Sequence, residues 1–330
     1  MTDYECRTYN SGYRRYWRYS YRDYYTYGYA TRDPVNITTT TTEFDKWNYT
    51  QVTYDTSVYK SFTEVSTNNG DDGTAQNSTW SGCIEERQTV NASSFGFNTS
   101  SGITPGGALD LDIDTAPDSN ANSKWAPMWP EVSYLRRNSS GSYINDPTSG
   151  YGIKASSYCP VESRLLSEMS EDDFDAYADS MVATGSTYLD IGMLWGGRLG
   201  SPDGIFADTV SEDPDNGGEV SRHIIFMTDG VMEPNRRIQH AYGIEWHDRR
   251  VTTDGSSNNT SRHTSRFLAI CQAIKAKGMR VWVIAFTTGL STDLTTCASD
   301  GSSFTANSST QLNAAFQEIA RQVGELRITQ

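Results

Sequence analysis

"RHIIFMTDG" at residues 222–230 is a short, continuous apolar run that ends in Asp229-Gly230. A run of this length bounded by turn residues is the expected signature of a strand buried on both faces of a parallel sheet. A second run of the same kind, "RVWVIAFTT" at 280–288, follows it. Between them "TSRFLAICQAIKAKG" reads as a helix with Gly278 at its C-terminal cap. Strand, helix and strand in this order make a βαβ unit, and hence a parallel sheet with a crossover helix. Upstream, "TYLDIGMLWGGRLGSP" is an amphipathic helical stretch that can bury Ile191, Leu194 and Trp195 and that ends at Ser201-Pro202. Before it, "SEDDFDAYADSMVATG" has Ser170 as N-cap, acids in the first turn, a stripe of Phe174, Ala178 and Met181, and a stop at Gly185. Downstream, Leu312, Phe316, Ile319, Val323 and Leu326 recur at helical spacing, so the chain closes on an amphipathic helix packed on the sheet. Residues 161–330 are therefore expected to be α/β, with a doubly wound, mostly parallel sheet.

The remainder of the chain is organised differently. Residues 63–160 are rich in Gly, Asn, Ser, Asp and Pro and read as a loop-rich insertion with short regular elements. Within it Asp110, Asp112 and Asp114 alternate with Leu109, Leu111 and Ile113. A calcium loop of the EF-hand type needs Gly at its sixth position and an acid at its twelfth, but Thr115 and Ala121 stand there. The alternation is read instead as a half-buried strand with its carboxylates on one face. Residues 1–62 form a Tyr/Thr-rich segment. In 1–30, ten tyrosines interleave with five arginines, a low-complexity pattern that suits a hairpin or edge ribbon, and "NITTTTTEF" and "WNYTQVTY" continue the trend.

Composition narrows the function. A formal net charge of -14 opposes binding to a phosphate backbone, so no nucleic-acid partner is expected. The longest apolar stretch, Val281 to Phe286, is far below the roughly 20 residues of a bilayer span. No basic start and apolar region follow Met1, so no export signal is readable. Of the five cysteines none lies in a C-x-x-C pair, which argues against zinc ribbons and thioredoxin-type motifs. Two disulfides, Cys271 with Cys297 and Cys83 with Cys159, are weighed against five buried free thiols, and Cys6 is left over. Disulfides favour an oxidising compartment. Sequons such as Asn77 and Asn259 are what chance gives in a chain this rich in Asn, Ser and Thr.

Ligands of open parallel sheets gather at the carboxyl ends of the strands, where Asp229 sits. "ATGSTYLDIG" offers a second oxygen donor, Thr187, in a loop that opens a helix. Asp229-Gly230 is also ordinary turn chemistry, and the two readings stay open on these residues alone. The pair "TGSTYLDIGMLWGGRLGSP" and "RHIIFMTDG" resembles the second and third loops of a von Willebrand factor A (VWA) domain. "WSGCIEER", "DLDIDTAPDSNANSKWAPMWPE", "LWGGRLGSP", "YGIEWHDRR" and "FQEIARQVGELRITQ" resemble TadG-like proteins of bacterial Tad (Flp) pilus assembly, across most of residues 50–330.

That resemblance implies a VWA domain with a metal-ion-dependent adhesion site, to which Thr187 and Asp229 would contribute ligands for Mg²⁺ or another divalent cation. It implies a non-enzymatic protein, extracytoplasmic and anchored in its full-length relatives by an N-terminal helix, whose partners are pilus-assembly or surface proteins. The family's Asp-x-Ser-x-Ser loop is absent: Asp55-Thr56-Ser57 continues as Val58-Tyr59-Lys60. The chain therefore reads as the C-terminal portion of such a protein, incomplete at the N-terminal side of its sheet. Metal binding is expected to be weak or absent, and "HIIFM" is expected to carry an unpaired apolar edge. The alternatives are a generic VWA adhesin or matrix-binding protein and a metal-free remnant. A hydrolase built on Asp229 with His223 or His247 lacks a nucleophile elbow, a His-Glu-x-x-His run and a phosphate loop. The histidines are read as polar strand ends or salt-bridged loop residues.

Overall fold

The computed structural model describes residues 2–11, 14–23, 38–42, 55–67, 75–128, 134–135, 153–154, 159–211, 217–255 and 259–326. The chain divides into two compact units, Met1–Phe44 and Asp45–Gln330. In the first, β1 (Thr2–Ser11) and β2 (Arg14–Asp23) form an antiparallel hairpin in register from Thr2↔Asp23 to Ser11↔Arg14. Cys6 lies on β1 opposite Tyr19. Thr38–Thr42 do not extend the ribbon, being exposed and without regular structure. "WNYTQVTY" lies outside the described residues.

The second unit begins with the loop-rich region, whose strands are two or three residues long. They are β3 (Val65–Thr67), β4 (Gln76–Ser78), β5 (Ile84–Glu85), β6 (Gly96–Asn98), β7 (Gly102–Thr104), β8 (Ala126–Pro127), β9 (Tyr134–Leu135) and β10 (Ile153–Lys154). They pair antiparallel as β3 with β4, β5 with β8, β6 with β7 and β9 with β10. The expected strand over Asp110–Asp114 is not one. Leu109–Leu111 is a 3-10 turn, and Asp110 and Leu111, neighbours of opposite polarity, are both fully buried. The alternation misled because each carboxylate has its own partner. Asp110 meets the buried Arg266 guanidinium. Asp112 accepts from the backbone N–H groups of Asp114 and Thr115, and Asp114 pairs with Lys277 at 2.5 Å.

The α/β half contains α1 (Glu171–Asp179), α2 (Leu189–Gly200), α3 (Ala207–Val210), β11 (His223–Thr228), α4 (Glu245–Asp248), α5 (Thr260–Ala276), β12 (Arg280–Phe286), α6 (Thr292–Cys297), β13 (Ser303–Ala306) and α7 (Ser309–Leu326). β11, β12 and β13 form a parallel three-stranded sheet with β12 at its centre. Helices cover it on both faces. Met193 and Leu194 of α2 and Phe267, Ile270 and Ile274 of α5 pack with Val281, Val283 and Ala285 on one face, while Ala315 and Ile319 of α7 pack with Trp282 and Ile284 on the other. This architecture is compatible with a Rossmann-like fold.

Close packing explains one glycine. A Cβ on Gly197 of α2 would stand 2.8 Å from Ile274 Cδ1, so only glycine lets α2 and α5 approach this closely. At the end of α5, Gly278 takes a φ of 77° and closes the helix one residue past its cap, where a left-handed residue is needed.

Three expectations change. β11 is not buried on both faces: Ile224 and Phe226 pack inward, but Ile225 and Met227 are 43% and 51% exposed. It is an edge strand among the described residues, and no helix covers that part of its outer face. α1 starts where the sequence indicates, with Ser170 Oγ accepting from Asp173 N–H, but it ends at Asp179, well before Gly185. Its stripe is not packed, for Phe174 and Met181 are exposed, and only Tyr177 is tethered, donating its hydroxyl to the Glu162 carbonyl at 2.8 Å. In α7, Phe316 lies on the exposed rim, and the side chain of Leu326 falls outside the described residues.

Disulfides join Cys83 to Cys159 and Cys271 to Cys297. The second ties the buried face of α5 to the end of α6. The first ties β5's approach to the far end of the loop-rich region. On the chain-entropy account, closing loops of these sizes stabilises the fold by about 3 to 4.5 kcal/mol each.

Candidate functional site

The site is built where β11 ends and α2 begins. Asp229 is the first residue past β11 and is exposed. The turn after it is held by Thr228, whose Oγ1 accepts from Gly230 N–H at 3.2 Å and donates to the Gly230 carbonyl at 3.1 Å. Thr187 is half-buried beside this turn: a Cβ on Gly230 would lie 3.9 Å from Thr187 Oγ1. Two consecutive residues clamp the arrangement. Thr187 exchanges both backbone hydrogen bonds with Glu233, at 3.2 and 3.0 Å. The Tyr188 hydroxyl then accepts from Asn235 N–H at 2.9 Å and donates to the Asn235 carbonyl at 3.1 Å. The structure thus brings Thr187 to the Asp229-Gly230 turn although 42 residues separate Thr187 from Asp229 in sequence.

A buried polar cluster lies directly behind the clamp. Asp190, on the first turn of α2, accepts from His263 Nδ1 of α5 at 2.7 Å, with both side chains fully buried. Tyr242 places its hydroxyl 3.5 Å from the same carboxylate oxygen. The Tyr188 ring stacks on His240 at 4.4 Å between centroids and meets His263 edge-on at 5.3 Å. Burial holds His240 well below the ordinary histidine range, reinforced by His263 and Arg250. Burial, with Asp190 adding to it, raises the Tyr242 hydroxyl. Neither Asp190 nor the two histidines stood out in the sequence. Asp190 sits inside the amphipathic stretch of α2, and nothing local distinguishes a buried acid from a solvated one.

Deeper still, the loop-rich region is bolted to α2 and α5 by ions. Arg198 donates to both carboxylate oxygens of Glu86, at 2.8 and 3.0 Å, and to the Asp110 carbonyl at 2.6 Å. Trp195 and Trp125 donate their indole N–H groups to the same Glu86 carboxylate. The region named from sequence as an insertion is therefore part of the base on which the site rests. Near it, Glu85 is pushed up to about 7 by burial and by Asp248, against the pull of Arg250 and Gln239.

The donor set at the turn is one hydroxyl and one carboxylate. Hard cations such as Mg²⁺ suit oxygen donors but ask for about six of them. Among the described residues, no group of three or more His, Cys, Asp or Glu side chains is placed to hold a metal. Thr187 and Asp229 do not make a complete site by themselves.

The hydrolase pairing of Asp229 with His223 is not assembled. His223 and Asp229 lie at opposite ends of β11, separated by about 20 Å of strand. His223 is engaged at the sheet, accepting from Trp282 Nε1–H at 3.1 Å and sharing a 2.9 Å hydrogen bond with Ser221. His247 lies in α4, and its side chain is outside the described residues. No described helix is long and apolar enough to cross a membrane. No family model, no curated protein and no solved structure matches the chain significantly, so its reading rests on its own residues and geometry.

Proposed function

We propose that the α/β half is a VWA-type domain that acts as a non-enzymatic protein-binding component of Tad pilus assembly. The observation that carries this reading is the clamp that sets the Thr187 hydroxyl beside the Asp229-Gly230 turn at the carboxyl end of a parallel strand. In this reading the two oxygens are part of a divalent-cation site, and the shell is completed by donors from outside the pair, including a carboxylate of the partner. Binding and ion occupancy are then coupled, because each supplies ligands that the other needs. The two disulfides support an extracytoplasmic location, where such bonds persist.

The test is binding of the chain to purified pilus subunits from the same cells, with Mg²⁺ and after chelation. Saturable binding that falls at least tenfold on chelation and in Thr187→Ala and Asp229→Ala is the expected result. Binding indifferent to chelation and to both substitutions would remove the cation from the account, and no binding at all would remove the pilus.

A further inference from the structure

The loop after β11 is pinned to the start of α2 in succession by Thr187, which pairs with Glu233 through the backbone, by the Tyr188 hydroxyl, which holds Asn235, and by the Tyr188 ring, which stacks on His240. The last of these contacts rests on a tight turn. His240 and Gly243 exchange both backbone hydrogen bonds, at 3.1 and 2.8 Å. The His240 side chain holds the same turn from within, its Nδ1 accepting from Tyr242 N–H at 3.1 Å. A ring nitrogen that accepts carries no proton, so the proton of the neutral imidazole is on Nε2. A second proton can go only to Nδ1, where the Tyr242 N–H already points.

Protonation therefore sets two donors against each other inside the turn, and the surroundings sharpen the conflict. His240 is buried and is faced by Tyr188 from the approach to α2, by His263 from α5, by Arg250 from the segment after α4 and by Tyr242 from its own turn. His263 and Arg250 oppose an imidazolium. The carboxylates of this region have other partners: Asp190 accepts from His263 Nδ1 at 2.7 Å, and Asp248 of α4 accepts from Ile244 N–H at 2.6 Å. Stacking on the Tyr188 face favours a cation, but burial and the two neighbouring cations outweigh it, for His240 is held well below the ordinary histidine range.

We propose that His240 is an acid switch on the cation site. A proton on Nδ1 expels the Tyr242 N–H, the 240–243 turn opens to water, and Tyr188 loses the ring on which it stacks. The Tyr188 hydroxyl then lets go of Asn235, and the hydroxyl of the neighbouring Thr187 is no longer held beside the Asp229-Gly230 turn. Ion and partner are released as the medium becomes acid. The opening of the clamp follows from the turn alone, whereas its effect on ion and partner rests on the cation reading of Thr187 and Asp229.

Hydrogen exchange of the full chain, with neither metal nor partner, reads the clamp directly. Below pH 6.5 the open turn takes up the proton before the closed one does, so the open fraction grows about tenfold per pH unit. Protection of the Tyr242 and Asn235 amides, corrected for the intrinsic pH dependence of exchange, is expected to fall about tenfold between about pH 7.5 and about pH 5.5. The Val283 amide, bonded to the Ser302 carbonyl in the centre of the sheet, is expected to keep its protection. His240→Asn sets a carboxamide oxygen within reach of the same Tyr242 N–H and takes no proton, so its loop amides are expected to ignore pH. Protection that stays level in the unaltered chain, that falls equally at Val283, or that falls as far in His240→Asn overturns the switch. Should the variant not fold, the contrast between Tyr242 and Val283 in the unaltered chain decides.

At the site, Mg²⁺-dependent binding to purified pilus subunits is expected to weaken at least tenfold over the same range in the unaltered chain and to hold in His240→Asn. Binding that keeps its strength while the clamp opens overturns the link between clamp and site. No binding at any pH defeats the function reading alone, and the exchange result then decides the switch.

Discussion

Glu86 and Arg198 are held together out of water: the guanidinium donates to both carboxylate oxygens, and the two side chains are no more than 1% exposed. One belongs to the loop-rich region and the other to α2, so this pair joins the part of the chain with only short regular elements to the helix that opens at the site. Removing one partner strands a buried charge. Glu86→Ala is expected to destabilise the fold by about 3–5 kcal/mol in urea unfolding, and replacing both residues with apolar ones of similar size is expected to cost less than Glu86→Ala alone. A loss under 1 kcal/mol would mean that the loop-rich region is not part of the base.

Gly197→Ala tests the approach of α2 to α5. The added methyl would meet Ile274 at 2.8 and 2.9 Å, so Ile274 or the helices must shift. The expected cost is about 1–3 kcal/mol, against a slight gain for the same change at an open helical position. Ile274→Val in the same chain is expected to return part of the loss, which thermal unfolding of the two variants will read.

Removing the Cys271–Cys297 bond by paired serine substitution is expected to cost about 3 kcal/mol, since the bond closes a loop between α5 and α6. Because both cysteines are fully buried, mild reductant is expected to open Cys83–Cys159 first, where Cys159 is exposed. Mass spectrometry of alkylated thiols over a reduction time course checks the order.

Stability is expected to depend on pH through two groups with opposite signs. Glu85 has its pKa raised from 4.5 to about 7 in the folded chain, mainly by burial, although about a quarter of its side chain remains exposed. The folded state therefore holds this proton more tightly than the unfolded one. The Glu85 contribution is full below about 4.5 and is lost as pH rises through 7. His240 is depressed below 6.5, so its contribution is present above that value and is lost as pH falls below it, when the unfolded chain takes up the proton first. Glu85→Gln is expected to flatten the decline toward neutral pH, and His240→Gln the decline on the acid side, in unfolding midpoints measured across both ranges.

Much of the sheet was legible because its signals are local. "RVWVIAFTT" is apolar from Val281 to Phe286 and became the central strand, and α5 is marked by a periodic stripe and ends before Gly278. "HIIFM" carries the same local signal, yet exposure of Ile225 and Met227 depends on which element lies beside β11, and that is not written in β11. Asp110, Asp112 and Asp114 read as one face of a strand because alternation records polarity and not partners; Arg266, which decides the matter, lies far along the chain. Thr187 and Asp229 could be named from the ends of their elements. The cluster behind them could not, because Asp190, His240, Tyr242 and His263 come from three places and acquire meaning only when α2, α5 and the loop after β11 are packed together.

The central claim is that Thr187 and Asp229 are ligands of a cation site that needs further donors. Isothermal titration of Mg²⁺ into the chain, with no partner present, tests it most directly. The account predicts heats no larger than dilution, or a weak millimolar association that disappears in Asp229→Ala. Saturable micromolar binding by the chain alone would contradict it, for two protein oxygens would then be holding an ion that the account says they cannot.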